Sequence, residues 1–157
     1  MQLTGRHIVN AGSSKIWDML MDTGTLANVV PGISRLEKTG DHTFKSILDI
    51  KIGPVSSSFS GDLRMYDIME QKGFTLKVQQ NSKIGNANAV IKIDLMPVNE
   101  DQTEVSFNGE VKLSGLLATM GQRVIGGVAK TVSKQFFTNL EKELEKSKSS
   151  IVPKVTG

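Results

Sequence analysis

Apolar residues recur at every fourth position along the C-terminal third of the chain. They are Leu116, Met120, Val124, Val128, Val132, Phe136, Leu140 and Leu144. This spacing is typical of an amphipathic helix that covers an apolar surface. We therefore predict one long helix over residues 116–147, with a bend at Gly126–Gly127, where two glycines stand in its middle.

Upstream, apolar and polar residues alternate instead. A first strand is predicted over residues 2–10, and two short helices follow it and end at Pro31–Gly32. From residue 33 to residue 113 the period is two, and short polar turns divide the segment into about six strands. This order predicts an α+β fold, in which a curved antiparallel sheet of six to seven strands wraps around the long C-terminal helix. We expect a single domain over residues 1–147 and a flexible tail over residues 148–157.

Small residues cluster at one end of the predicted sheet and in the first half of the long helix. They are Gly61, Ala87, Ala89, Gly109, Gly115, Gly121, Gly126 and Gly127. Because protein interiors are densely packed, such a cluster indicates either close contact between helix and sheet or a cavity. We favour a cavity, on the expectation that the same half of the helix faces the two short helices.

The predicted cavity is lined by apolar side chains, and its composition suits an apolar or amphipathic ligand. The expected lining residues are Trp17, Leu20, Leu26, Val29, Ile50, Phe59, Phe74, Leu76, Ile91, Phe107, Met120 and Val124. His7 shares the inward face of the first strand. One alternative is a strand histidine that is hydrogen-bonded to the backbone or lies near the mouth of the barrel. The other is a polar contact to a ligand oxygen.

Composition excludes several classes of function. The chain has no cysteine and two isolated histidines, so we expect no metal site, no cofactor and no thiol chemistry. The net charge of +3 is spread along the chain, which argues against nucleic-acid binding. Arg123, Lys130 and Lys134 share one face of the long helix, which is either simply solvated or contacts acidic lipid headgroups or a partner protein. No acid–base set or nucleophile is evident, so we expect no catalytic residue.

The order of elements resembles the helix-grip fold of START-like lipid-transfer domains and the birch pollen allergen family. Within that superfamily the chain is similar to the G subunit of carbon monoxide dehydrogenase, over residues 1–145. The similar stretches are Leu3-x-Gly5, Ile16-Trp17, Val30-Pro31-Gly32, Leu36-Glu37, Lys51-Ile52-Gly53-Pro54-Val55, Phe59-x-Gly61, Leu117-x-x-x-Gly121-x-Arg123-x-Ile125 and Gln135-Phe136-Phe137-x-Asn139-Leu140.

This resemblance implies a non-enzymatic protein that binds a quinone- or lipid-like molecule and assists a molybdenum-containing carbon monoxide dehydrogenase. One alternative is a module that docks on a membrane or an enzyme without a ligand, and another is a lyase or hydrolase that uses the same cavity. We expect a cytoplasmic location. The alternative is a cytoplasmic protein that also makes peripheral contact with the inner face of the membrane. The chain lacks the Pro-rich extension and membrane anchor of some relatives, so stable membrane attachment is not expected.

Overall fold

A computed structural model describes residues 1–149. The strands are β1 (Gln2–Val9), β2 (Ile33–Gly40), β3 (Thr43–Ile52), β4 (Val55–Met69), β5 (Gly73–Ser82), β6 (Gly85–Asn99) and β7 (Gln102–Leu113). The helices are α1 (Ser13–Leu20), α2 (Thr23–Val29), α3 (Leu116–Thr119) and α4 (Gly121–Ser149). The predicted α+β architecture is confirmed: a curved antiparallel sheet packs on a long C-terminal helix, with two short helices after the first strand.

All seven strands form one antiparallel sheet in the order β1-β7-β6-β5-β4-β3-β2. Strands β2 to β7 are successive hairpins, and β1 pairs with β7 along its whole length. Because side chains alternate between the two faces of a strand, the register places every second residue of each strand on the concave face toward α4.

The prediction of one unbroken helix from residue 116 was wrong. A single turn, α3, comes first, and Gly121 then begins α4 with a φ of +84°. That left-handed conformation is accessible to glycine at little cost, so the chain changes direction there. The helix continues through Gly126–Gly127, where we expected the bend. Of the predicted tail, residues 148 and 149 end α4 and residues 150–157 lie outside the described residues.

A large apolar core joins α1 and α2 to the C-terminal half of α4 and to one end of the sheet. Its buried members include Ile16, Trp17 and Val29 from the short helices and Leu140 from α4. The Asn139 side-chain amide also donates a 3.0 Å hydrogen bond to the Val29 carbonyl oxygen. The short helices therefore pack against the C-terminal half of α4, which corrects the expectation that they face its N-terminal half.

A small second core closes the opposite end of the sheet. Its buried residues are Ile52, Phe59 and Leu117, and Met120 and Ile125 pack against them. The backbone amide of Leu117 donates to the Ile84 carbonyl oxygen, which ties α3 to the turn between β5 and β6. The two cores thus fix both ends of the space that α4 spans.

Two glycines on the concave face allow neighbouring strands to press together. A Cβ atom on Gly61 would lie 2.8 Å from the Gln79 carbonyl carbon, and one on Gly109 would lie 2.8 Å from the Ile91 Cα atom. No side chain fits at such distances. At these two positions close contact between strands, rather than a cavity, explains the small residue.

Candidate ligand-binding site

The concave face of the central strands is incompletely covered. Between the two cores its side chains are half-buried, although they point toward α4. Five of these residues belong to neither core: Val78, Ala87, Ala89, Ile91 and Val111. Three more, Leu76, Ile93 and Phe107, are half-buried and pack against the large core. The backbone of α4 runs close to α2, β1 and β3, and it keeps a larger distance from β4 to β7 over nearly all of its length. The half-burial of these side chains indicates space between the helix and the middle of the sheet that the protein's own side chains do not fill.

The N-terminal half of α4, residues 121–134, leaves this space open on the helix side. Its side chains are half-buried or exposed, and none is fully buried. A Cβ atom added to Gly126 or Gly127 would meet no atom within 4 Å. These glycines therefore do not serve close helix–sheet packing. On the helix the small residues accompany open space, as the cavity interpretation requires.

The predicted lining residues fall into three places. In the large core lie Trp17, Leu20, Leu26, Val29 and Phe74. In or against the small core lie Ile50, Phe59 and Met120. Half-buried on the concave face lie Leu76, Ile91 and Phe107, of which Leu76 and Phe107 pack against the large core and Ile91 belongs to neither core. Val124 is 40% exposed, and its neighbour Ile125 packs inward instead. The structure thus divides most of the predicted lining between the two cores and leaves Ile91 and the exposed Val124 outside both.

Two polar side chains are buried in this apolar surface, and both are 3% exposed. The Gln80 amide nitrogen donates a 3.1 Å hydrogen bond to the Ser46 hydroxyl oxygen, and no hydrogen-bond partner is found for Gln80 Oε1 among the described residues. Gly61 stands between them in the sheet, so the Gln80 side chain crosses a residue that has no side chain of its own. Sequence reasoning missed Gln80, although it continues the inward alternation of Leu76 and Val78.

His7 has a partner on α4. Its Nε2 atom lies 3.0 Å from Glu141 Oε1, and its ring stacks on Phe137 with 4.7 Å between ring centroids. The two side chains are 41% and 44% exposed, at the edge of the sheet. Glu141 is 134 residues away in sequence, so no local pattern indicates this pair. The observed contact of His7 is with the helix.

The three predicted basic residues, Arg123, Lys130 and Lys134, are all exposed on α4. Within residues 1–149 no group of three or more acidic or histidine side chains is arranged to hold a metal ion. The helices of the same region include none that is long and apolar enough to cross a membrane.

Three clefts on the outer surface are open and partly polar. The largest, about 840 Å³, lies between the start of α1, the β6–β7 turn and the end of α4, and Lys15, Glu100 and Asp101 contribute to it. Two others, about 410 and 490 Å³, lie against the sheet near Lys45 and Lys77. None of the predicted lining residues contributes to these three clefts, and charged side chains stand in the walls of each.

Residues 5–145 match the profile of the family described as the G subunit of carbon monoxide dehydrogenase (CoxG). The chain belongs to the CoxG family. No curated protein is significantly similar to it in sequence. The family assignment agrees with the resemblance drawn from the sequence motifs.

Solved structures show how widely this CoxG fold occurs. A conserved protein from Geobacillus kaustophilus is 30% identical, with a TM-score of 0.89 over 94% of this chain and 97% of that one. The Zhui aromatase/cyclase from Streptomyces sp. R1128 is 10% identical, with a TM-score of 0.70 over 93% and 94%. A START superfamily protein from Mycobacterium smegmatis is 14% identical, with a TM-score of 0.70 over 92% and 97%. The last two share the fold with this CoxG protein.

Proposed function

We propose that this CoxG protein is a non-enzymatic carrier of an apolar, quinone- or lipid-like small molecule. The ligand lies between the N-terminal half of α4 and the concave face of the central strands. The observation that carries this proposal is the half-burial of inward apolar side chains that belong to neither core, such as Val78, Ala89 and Ile91, together with a helix half that has no buried side chain. Covering that face with a ligand would remove apolar surface from water, which favours binding.

The polar contacts near the proposed space favour a carrier over a lyase or hydrolase. The only contact between titratable side chains that joins α4 to the sheet in residues 1–149 is the His7–Glu141 hydrogen bond, which is half exposed at the sheet edge. General acid–base catalysis needs a group within hydrogen-bond reach of the substrate. The aromatase/cyclase from Streptomyces is only 10% identical, so its likeness supports the shared fold and no activity here.

The family description supports the proposed partner. We propose that the carrier assists a carbon monoxide dehydrogenase, as the family's name suggests, and that this enzyme is of the molybdenum type and lies in the cytoplasm. Co-purification of the full chain with that enzyme from a common host tests this part separately. If the protein binds its ligand but does not co-purify with the enzyme, the accessory role is refuted and the carrier role is not.

Native mass spectrometry and organic extraction of the purified protein test the carrier role directly. We expect an apolar molecule in roughly stoichiometric amount, released on denaturation. A sharper test compares Gly126→Leu with Gly127→Leu. Both replacements should raise helix stability by about 1 kcal/mol, since leucine is a better helix former than glycine. Gly126 is half-buried and Gly127 exposed, so only Gly126→Leu should fill the space.

The expected readout is the binding of 1-anilinonaphthalene-8-sulfonate, an apolar fluorescent probe. Gly126→Leu should weaken its binding about tenfold or more, and Gly127→Leu should leave it unchanged. Equal binding by both variants, together with nothing extracted from the wild-type protein, would refute the carrier proposal.

A membrane- or enzyme-docking role is the second candidate. It is supported by exposed Leu116 and Val124, which lie near the exposed cation Arg123 at the start of α4. Apolar side chains beside cations suit the surface of an anionic membrane. Co-sedimentation with phosphatidylserine vesicles should fall in an Arg123→Ala, Lys130→Ala, Lys134→Ala triple variant. Unchanged co-sedimentation would exclude the membrane form of this role.

A further inference from the structure

Deepening the proposed carrier function, on which it rests, we propose that Gln80 and Ser46 form a polar anchor for one oxygen of the ligand. The ligand class is an apolar molecule that carries a hydroxyl or carbonyl group. The oxygen binds the free amide atom of Gln80, and the apolar remainder covers the half-buried face of the central strands.

The first support is the unmet hydrogen bond. Gln80 is 3% exposed, and only its amide nitrogen has a partner among the described residues, the Ser46 hydroxyl. A buried polar atom without a partner destabilises the folded protein, and such atoms are rare unless a ligand, ion or water satisfies them. An apolar residue at position 80 would avoid this cost. The cost is therefore consistent with a role in binding.

The second support is the position of the pair. One row of paired residues crosses strands β3 to β6 and consists of Ser46, Gly61, Gln80 and Ala87. The neighbouring row contains Leu48, which packs against the small core. The first row lies between the two cores; its Ser46 and Gln80 side chains are buried, and Gly61 and Ala87 are half-buried. Gly61 and Ala87 are small, so the amide has little side-chain bulk beside it. Because Gln80 Oε1 is covered by protein atoms, binding requires the side chains around it to move aside.

The pair can serve either a donor or an acceptor. In the structure the amide nitrogen faces Ser46, which leaves Oε1 free to accept a hydrogen bond from a ligand hydroxyl. If the amide turns by about 180°, Oε1 accepts from the Ser46 hydroxyl and the nitrogen donates to a ligand carbonyl, because a serine hydroxyl both donates and accepts. Hydroxyl and carbonyl forms of one molecule would therefore both bind.

Three probes with similar skeletons test the anchor: naphthalene, 2-naphthol and 1,4-naphthoquinone. Their dissociation constants are measured by equilibrium dialysis with the wild-type protein, Gln80→Leu and Gln79→Leu. Gln79 is the next residue along β5 and is exposed on the opposite face, so it is the matched control. Comparing each oxygenated probe with naphthalene in the same protein removes differences in general hydrophobicity.

We expect Gln80→Leu to lower the preference for 2-naphthol over naphthalene about tenfold, which corresponds to about 1.4 kcal/mol. The preference for 1,4-naphthoquinone should fall similarly, and Gln79→Leu should change neither. The melting temperature of Gln80→Leu should change little, since the removal of the unpaired Oε1 atom offsets the loss of the hydrogen bond to the buried Ser46 hydroxyl. Gln80→Met, which keeps the length of the side chain, replaces Gln80→Leu if the latter does not fold.

The outcomes separate the anchor from the carrier function. Binding of all three probes with preferences that Gln80→Leu leaves unchanged would overturn the anchor and keep the carrier. A lower melting temperature with unchanged preferences would show that Gln80 is structural and would also overturn it. No binding of any probe to the wild-type protein would overturn both proposals.

Discussion

The two halves of α4 have the same apolar repeat and opposite environments. In the C-terminal half Phe137, Leu140 and Leu144 are buried in the large core. In the N-terminal half no side chain is fully buried, and Val124 is 40% exposed. A repeat of four residues drifts by about 40° per step on a helix of 3.6 residues per turn. The row of apolar residues therefore cannot face the sheet along the whole helix, and it is buried most completely at the C-terminal end.

This difference separates stability from binding. In the C-terminal half the apolar side chains are buried against other parts of the protein, including α1 and α2, so this half holds the helix on the sheet. The N-terminal half spans the half-buried face, where surface remains for a ligand. We infer that mutations in the two halves will change different quantities, which the following comparisons test.

The largest effect is expected from Leu140→Ala. Leu140 is completely buried, and removing such a side chain costs about 2–5 kcal/mol because it leaves a cavity. Val132→Ala is the matched change in the N-terminal half, where the side chain is half-buried. It should cost about 1 kcal/mol or less, since alanine also favours the helix. Urea unfolding followed by circular dichroism measures both.

The same two variants are also compared by their affinity for an apolar probe. Val132→Ala should alter the affinity for 1-anilinonaphthalene-8-sulfonate, whereas Leu140→Ala should leave it nearly unchanged under conditions where the variant remains folded. Equal losses of stability in the two variants would contradict the difference between the halves.

An intermediate effect is expected from the cap of α2, the helix that packs on the C-terminal half. The Asp22 carboxylate accepts hydrogen bonds from the amide and the hydroxyl of Thr25, at 2.9 and 2.8 Å. These bonds, the one to the Thr25 side chain first, lower the pKa of Asp22 below its ordinary value of 3.8. Asp22→Ala should cost about 1 kcal/mol at pH 7, as losses of such caps do.

The pH dependence has a definite sign. Because the pKa of Asp22 is lower in the folded state, the carboxylate stabilises the fold at a pH above about 3.8, and this is lost as the pH falls through the folded-state pKa. The difference in unfolding free energy between wild type and Asp22→Ala should therefore shrink in acid. Asp22→Asn, which can still cap, should show a smaller loss at pH 7 and less pH dependence. A difference that stays constant down to pH 2 would contradict this assignment.

Most of the fold followed from the sequence because hydrophobic periodicity is local. Alternation between residues 33 and 113 predicts the strands and their inward faces, and the family motifs agree with them. The break at Gly121 could not be predicted, since a glycine in a helical pattern is compatible with helix and with positive φ alike. The docking of α1 and α2 depends on tertiary contacts such as Asn139 to Val29, which no local pattern contains.

The site was harder to predict for the same reason. Alternation placed Leu76, Ile91 and Phe107 on the inward face, where the structure has them. It could not distinguish residues that face the open space from residues such as Trp17 that fill the large core. Gln80 could have been predicted as an inward residue, because it continues the alternation of inward positions along β5.

The smallest effect is expected from the His7–Glu141 pair, although it joins β1 to the C-terminal half of α4. Both side chains are about two-fifths exposed, and exposed ion pairs contribute between zero and about 1 kcal/mol. Glu141→Gln should therefore change the free energy of unfolding by less than about 1 kcal/mol at pH 7, little more than the exposed control Glu145→Gln. A loss of about 2 kcal/mol or more would mean that polar contact, rather than the burial of side chains such as Leu140, holds this half of the helix on the sheet. The greater contribution of the C-terminal half to stability would then come from the Glu141 carboxylate. In that case Leu140→Ala would no longer decide between the two halves.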